Sequence, residues 1–191
     1  MFNLTFDPAV NIVAALILSY VFVMAGLHKC RAPAEFAATL ANYKILPEGL
    51  ARQGVYLVPV AEIMTGVALL IPATARLAAV SAGGLLCIYI AAIGINLLRG
   101  RRNIDCGCGG PAQKQTISEW MIVRNGLLLG LAFIAGSQML PRPLLWLDWL
   151  TIIPAAVMGC LFYNIINQLL VNKDLLTSLV RISHQEIQTK P

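Results

Sequence analysis

Five stretches of this chain are apolar for about as long as a helix needs to cross a bilayer, roughly 20 residues. They run from about Ala9 to Leu27, Gly54 to Ile71, Leu77 to Leu98, Trp120 to Leu140 and Leu144 to Leu170. In hydrocarbon every backbone N–H and C=O must be satisfied internally, and a helix does this within one segment. Composition agrees: 58% of the residues are hydrophobic and 12% charged, with mean hydropathy +0.75. A soluble domain carries about 25% charged residues, so this chain lacks the charge to cover a water-facing surface. The expected fold is all-α: one polytopic transmembrane helical bundle over 1–191, with about five spans as a four-helix core plus one further helix, and the lipid bilayer as its partner.

The net charge of +5 does not point to nucleic acid. Basic residues in a membrane chain gather in cytoplasmic loops. The segment Met1–Pro8 has no Lys or Arg to form the n-region of a cleavable signal, so the first apolar stretch is expected to remain as a span. Pro154 predicts a kink in the last span. Residues 171–191 are expected to form a polar tail, with a short amphipathic helix on the membrane surface.

Local patterns predict how the spans meet. Gly126 and Gly130, then Ala132 and Gly136, are small residues four apart, as are Ala78 and Ala82 before Gly83-Gly84. Such strips let helix backbones approach closely. Thr116-Ile117-Ser118-Glu119 has the form of a capping box at the start of the fourth span. Lys29, Arg31, Lys44 and Arg52 share one side with Arg99, Arg101, Arg102, Lys114, Lys173, Arg181 and Lys190, whereas Arg76 and Arg142 face them. The positive-inside rule then places the amino terminus in the periplasm and the tail in the cytoplasm.

Ionisable and amide groups inside spans are functional candidates, because they are costly there. His28 and Lys29 close the first span, Glu62 lies within the second, Asn96 and Arg99 end the third, and Arg124 and Asn125 start the fourth. At 1.5 Å per residue, Glu62 and Arg124 each lie roughly 12 Å in from the same face. This predicts a Glu62–Arg124 ion pair or a shared polar network, serving either helix register or a site. A cluster of this kind could hold a polar head group such as a quinone, or tune a thiol. Cys87 and Cys160, inside spans, are expected to act as small hydrophobes.

Cys106-Gly107-Cys108, between Arg101-Arg102 and Gly109-Gly110, has three readings. It is a redox dithiol, closed through the bend that Gly107 permits and readily reduced because the ring is strained. Or it is part of a zinc site completed by His28 and Cys30. Or it is a glycine turn with inert thiols. Arg101 and Arg102 favour the thiolate and Asp105 opposes it.

Asn96-Leu97-Leu98-Arg99-Gly100, Asp105-Cys106-Gly107-Cys108-Gly109, Ile117-Ser118 and Arg124-Asn125 together resemble the MauE family of methylamine utilisation membrane proteins, with its DoxX-like helical bundle. Ala25-Gly26 with Lys29, Tyr43 before Pro47, and Glu62 before Gly66 extend the resemblance over about residues 16 to 140. Gly110 stands where the family often has an aromatic residue. The resemblance implies work beside MauD, a thioredoxin-like partner, in maturing methylamine dehydrogenase, whose small subunit is periplasmic and rich in disulfides. Cys106 and Cys108 would then be the exchanging pair, with Glu62 and Arg124 shaping the site. A non-catalytic assembly scaffold and a quinone-coupled thiol oxidoreductase are the alternatives. The charge pattern puts the cysteine loop opposite that substrate. Either the loop folds back into the bundle, or Cys87 or Cys160 relays electrons across, or the orientation is reversed.

Overall fold

The computed structural model describes residues 5–45, 47–101 and 117–188. Cys106 and Cys108, with Arg102, Asp105 and Lys114, lie outside the described residues.

The chain is a helical bundle: β1 (Thr5–Phe6), α1 (Pro8–Arg31), α2 (Pro33–Tyr43), α3 (Glu48–Ala68), α4 (Ala75–Leu98), α5 (Glu119–Gly136), β2 (Gln138–Met139) and α6 (Trp146–Gln188). Among the described residues four helices are long and apolar enough to cross a membrane: α1, α4, α5 and the Trp146–Lys173 part of α6. The remaining expected span is α3. Its 21 residues are enough to cross, but Arg52, Gln53 and Glu62 dilute its apolar character. Large apolar side chains point outward on α3, α4 and α6, among them Tyr56, Leu77, Leu98 and Phe162. That is the distribution expected of a surface bathed in lipid rather than water.

α1 is the central helix, packed along α3, α5 and α6, and α4 lies along α5. The α1–α3 seam depends on two glycines. A Cβ at Gly26 would stand 2.9 Å from the Pro59 carbonyl oxygen, and one at Gly66 would stand 2.7 Å from Val23 Cγ2. Further out, Ala14, Leu18 and Phe22 of α1 meet Ala78, Ala79 and Ala82 of α4 and Leu128, Ala132 and Ala135 of α5 in one core. Ala132 with Gly136 and Ala78 with Ala82 thus do what their spacing predicts. Gly126 and Gly130 do not: they face open space on the outer side of α5, where an added Cβ meets nothing within 4 Å.

Other expectations change. α5 begins at Glu119 with Ser118 as its N-cap, and Thr116 of the expected capping box lies outside the described residues. Asp7 is a true cap, accepting from the Ala9 N–H at 2.9 Å at the start of α1. Residues 171–188 are no separate surface helix but continue α6, a single helix of 43 residues. At 1.5 Å per residue it is about 65 Å long, roughly twice the hydrocarbon thickness. The segment expected to link the first two spans as a loop forms α2, whose Phe36, Thr39 and Tyr43 are buried.

At the end where α1 begins and α5 finishes, β1 pairs in parallel with β2. Arg142 clamps this closure. Its guanidinium donates to both Asp7 oxygens at 2.8 Å and to both Asp148 oxygens at 3.0 Å. Beside it, the buried Asn11 Nδ2 donates to the Ile134 carbonyl at 3.0 Å and so helps satisfy the end of α5.

Candidate functional site

The buried polar groups gather toward the opposite end, where α1, α4 and α2 finish and α5 starts. Lys29 is in the last turn of α1. A helical side chain leans toward its own N-terminus, so Lys29 reaches back into the bundle rather than out to the loop. Glu62 on the antiparallel α3 leans the other way and meets it. Lys29 Nζ donates to Glu62 Oε1 at 2.5 Å, with the side chains 4% and 1% exposed. Tyr89 of α4 donates its hydroxyl to the same oxygen at 2.6 Å. Gly26, one turn before Lys29, brings α1 close enough to α3 for the pair to form.

The ammonium also lies 5.4 Å from the ring centroids of both Phe36 and Tyr89. Two aromatic faces and one carboxylate therefore surround a cation removed from water, which is the environment in which cation–π attraction is strongest. Glu62 Oε2 is buried with no hydrogen-bond partner among the described residues. The ion pair is neutral as a whole.

Arg124 is not the partner of Glu62, which corrects the expected ion pair. It leans toward the start of α5 for the same geometric reason. Its Nη1 donates to Asn167 Oδ1 of α6 at 2.9 Å, and its guanidinium stands 6.0 Å from the Tyr163 ring. Each charge found a partner on another helix, Glu62 on α1 and Arg124 on α6. Asn96 is fully buried and donates to the Ala92 carbonyl one turn back, and Asn125 is buried nearby in sequence to Arg124. Arg99 Nη1 reaches the Lys44 carbonyl at 3.4 Å, tying the end of α4 to the end of α2.

Cys30 is exposed, beside the buried Lys29. Cys87 is exposed too, on the outer side of α4, and Cys160 is half-buried. Among the described residues no group of three His, Cys, Asp or Glu side chains could hold a metal ion. The sequence reading missed Tyr89, Tyr163 and Asn167. A signal existed, since a tyrosine or asparagine within a span needs a hydrogen-bond partner when buried.

Between the ends of α1 and α4, the face of α2 and the middle of α3 lies a cavity of about 310 Å³. Lys29, Phe36, Tyr43 and Tyr89 form its inner wall, and Ile88 and Ile95 its outer one. Apart from the Lys29 ammonium and a few hydroxyls the lining is apolar.

With this arrangement in view, comparison with known proteins is decisive. The family "Methylamine utilisation protein MauE" matches residues 7–138, from the Asp7 cap of α1 to the end of α5 and Gln138. This chain belongs to the MauE family. It is 37% identical over 132 residues to the methylamine utilization protein MauE of Paracoccus denitrificans, covering 69% of this chain and 71% of that one. The MauE protein of Methylophilus methylotrophus is 34% identical over 159 residues, covering 82% and 84%. That of Paracoccus versutus is 36% identical over 135 residues, covering 71% and 72%. No solved structure matches the chain. The family match takes in Lys29, Glu62, Tyr89 and Arg124, together with Cys106 and Cys108, whereas all of α6 lies beyond it.

Proposed function

We propose that this MauE-family chain serves methylamine utilisation from the bacterial cytoplasmic membrane, by supporting maturation of the methylamine dehydrogenase small subunit together with thioredoxin-like MauD. Family membership is the observation that carries the reading. Cys106 and Cys108 are the exchanging pair. One thiolate attacks a disulfide sulfur of the partner and forms a mixed disulfide. The other thiolate then resolves it, releasing the partner as a dithiol and leaving Cys106–Cys108 oxidised. The reverse exchange passes the same two electrons and two protons the other way, so neither direction consumes an outside oxidant.

The described flanks of the cysteine segment, Arg101 and Ile117, support this. Ile117 is buried against Met121, Ile93 and Tyr43, and Arg101 N–H bonds the Asn96 carbonyl at 3.0 Å. Both flanks therefore belong to the bundle end that holds Lys29 and Glu62. Glu62 acts through Lys29 and Tyr89, and Arg124 through Asn167, to fix the helix ends that carry the segment. The amino terminus is periplasmic and the end of α6 cytoplasmic, following the distribution of Lys and Arg.

The test is methylamine dehydrogenase activity in cells whose chromosomal copy carries Cys106→Ser or Cys108→Ser. Loss of active enzyme, with the membrane protein present at normal abundance, is expected for each. Full activity in both variants would remove the exchange reading and leave an assembly scaffold.

A further inference from the structure

The cavity beside the buried ion pair has features that a simple packing defect lacks. An ammonium carries three N–H donors. Lys29 gives one to Glu62 Oε1 and places no other hydrogen bond among the described residues. The group is nonetheless almost fully buried and forms part of the cavity wall. Beyond Glu62 the ammonium has only the ring faces of Phe36 and Tyr89 beside it, which are weaker partners than an oxygen, so it offers hydrogen-bond donors to an acceptor that enters the cavity.

Three properties narrow the occupant. Glu62 already neutralises Lys29, so an anionic head group would add an uncompensated charge in a low-dielectric site. A neutral acceptor such as a carbonyl oxygen would not. The flanking Phe36 and Tyr89 rings favour a flat, conjugated head over a branched one. A volume of about 310 Å³ holds a ring-sized head group and no more. Its outer wall is Ile88, 62% exposed, and Ile95, 38% exposed. α4 is long and apolar enough to cross a membrane, so in a bilayer that wall would face lipid, and a tail attached to the head would leave sideways between α2 and α4.

We propose that the cavity between α1, α2, α3 and α4 binds the carbonyl-bearing head of a membrane-soluble quinone, with Lys29 donating to a quinone oxygen. The assignment rests on the cavity and its buried cation, and it holds whether or not Cys106 and Cys108 exchange disulfides.

The experiment uses the full chain in phosphatidylcholine nanodiscs, photolabelled with an azidoquinone and mapped by mass spectrometry. Saturable labelling of residues 36–45 or 88–95 is expected, competed by short-tailed ubiquinone and not by oleate. Ile88→Trp, at an exposed position on the cavity rim, and Ala92→Phe, which fills the cavity from α4, should each weaken labelling tenfold or more, with circular dichroism melts verifying the fold. The Cys106→Ser/Cys108→Ser double variant should label as the parent does, which separates failure of this site from failure of the exchange reading. Unsaturable labelling, labelling elsewhere, equal competition by oleate, or undiminished labelling in a folded Ile88→Trp chain would each overturn the proposal.

Discussion

Lys29 and Glu62 lie 33 positions apart in the chain and meet at 2.5 Å, with almost no surface of either side chain left to solvent. Such a pair contributes little net stability compared with apolar residues of the same volume, yet removing one member strands a buried charge. Lys29→Met or Glu62→Leu alone should therefore destabilise the bundle by about 3–5 kcal/mol. The double substitution Lys29→Met/Glu62→Leu should recover most of that loss. Unfolding of the purified proteins in mixed micelles measures all three. Additive losses in the double variant would show that the two charges are not coupled.

Tyr89 gives its hydroxyl to the oxygen that Lys29 also uses. Tyr89→Phe keeps the ring beside the ammonium and removes one hydrogen bond to a charged group. A loss of about 1.5–3 kcal/mol is expected. Circular dichroism at equal detergent concentration would show it, and a melt unchanged from the parent would mean that the hydroxyl finds no role in holding Glu62.

The glycines divide into those the fold needs and those it does not. Gly26→Ala would push a Cβ into the Pro59 carbonyl, a backbone atom that cannot swing aside. A cost of about 1–3 kcal/mol is expected from that overpacking. Gly126→Ala and Gly130→Ala meet nothing, and alanine is the better helix former by about 1 kcal/mol. These two should be neutral or stabilising within the monomer. Thermal melts of the three variants side by side decide it.

At the far end, hydrogen bonding to Arg142 holds the Asp7 carboxyl below its ordinary value of 3.8, with the Ala9 N–H adding to the effect. Asp7 in turn raises the Arg142 pKa, so the guanidinium stays charged throughout. Because the folded pKa is the lower one, this closure is complete above pH 3.8 and is lost as pH falls through the folded value. The Leu140 amide donates to the Phe6 carbonyl at 2.9 Å within the closure. Its hydrogen-exchange protection factor should be constant from neutral pH down to about 4 and fall below that. In Arg142→Gln it should be low at every pH.

How much of this was legible beforehand is clearest at single residues. Glu62 and Arg124 stand out in sequence because charge is rare in apolar spans, and both are indeed buried. Their partners do not stand out. Lys29 sits at a span end, where lysine ordinarily reaches for water, and only the lean of its side chain along α1 turns it inward. Asn167 is one of two asparagines spaced three apart on α6, and nothing local says that one serves Arg124 while Asn164 serves Tyr20. Gly126 and Gly130 show the converse. Their spacing is right for close packing, yet α5 turns that strip outward because Leu128, Ala132 and Ala135 take the core side.

The sequence by itself determined that the chain is a helical membrane bundle of the MauE family, because hydrophobic length and local motif need no knowledge of neighbours. It also singled out Glu62, Asn96, Arg124 and Asn125, which are buried, since a polar group in a greasy span is visible one residue at a time. His28 and Arg99 at the span ends, however, are not buried, and the buried Asn11 did not stand out. The tertiary structure alone decided the pairings: Lys29 with Glu62 and Tyr89, Arg124 with Asn167, and Asp7 with Arg142. Those depend on helix rotation and side-chain direction, which are set by how closely Gly26 and Gly66 let α1 approach α3, and that closeness is a property of two surfaces together.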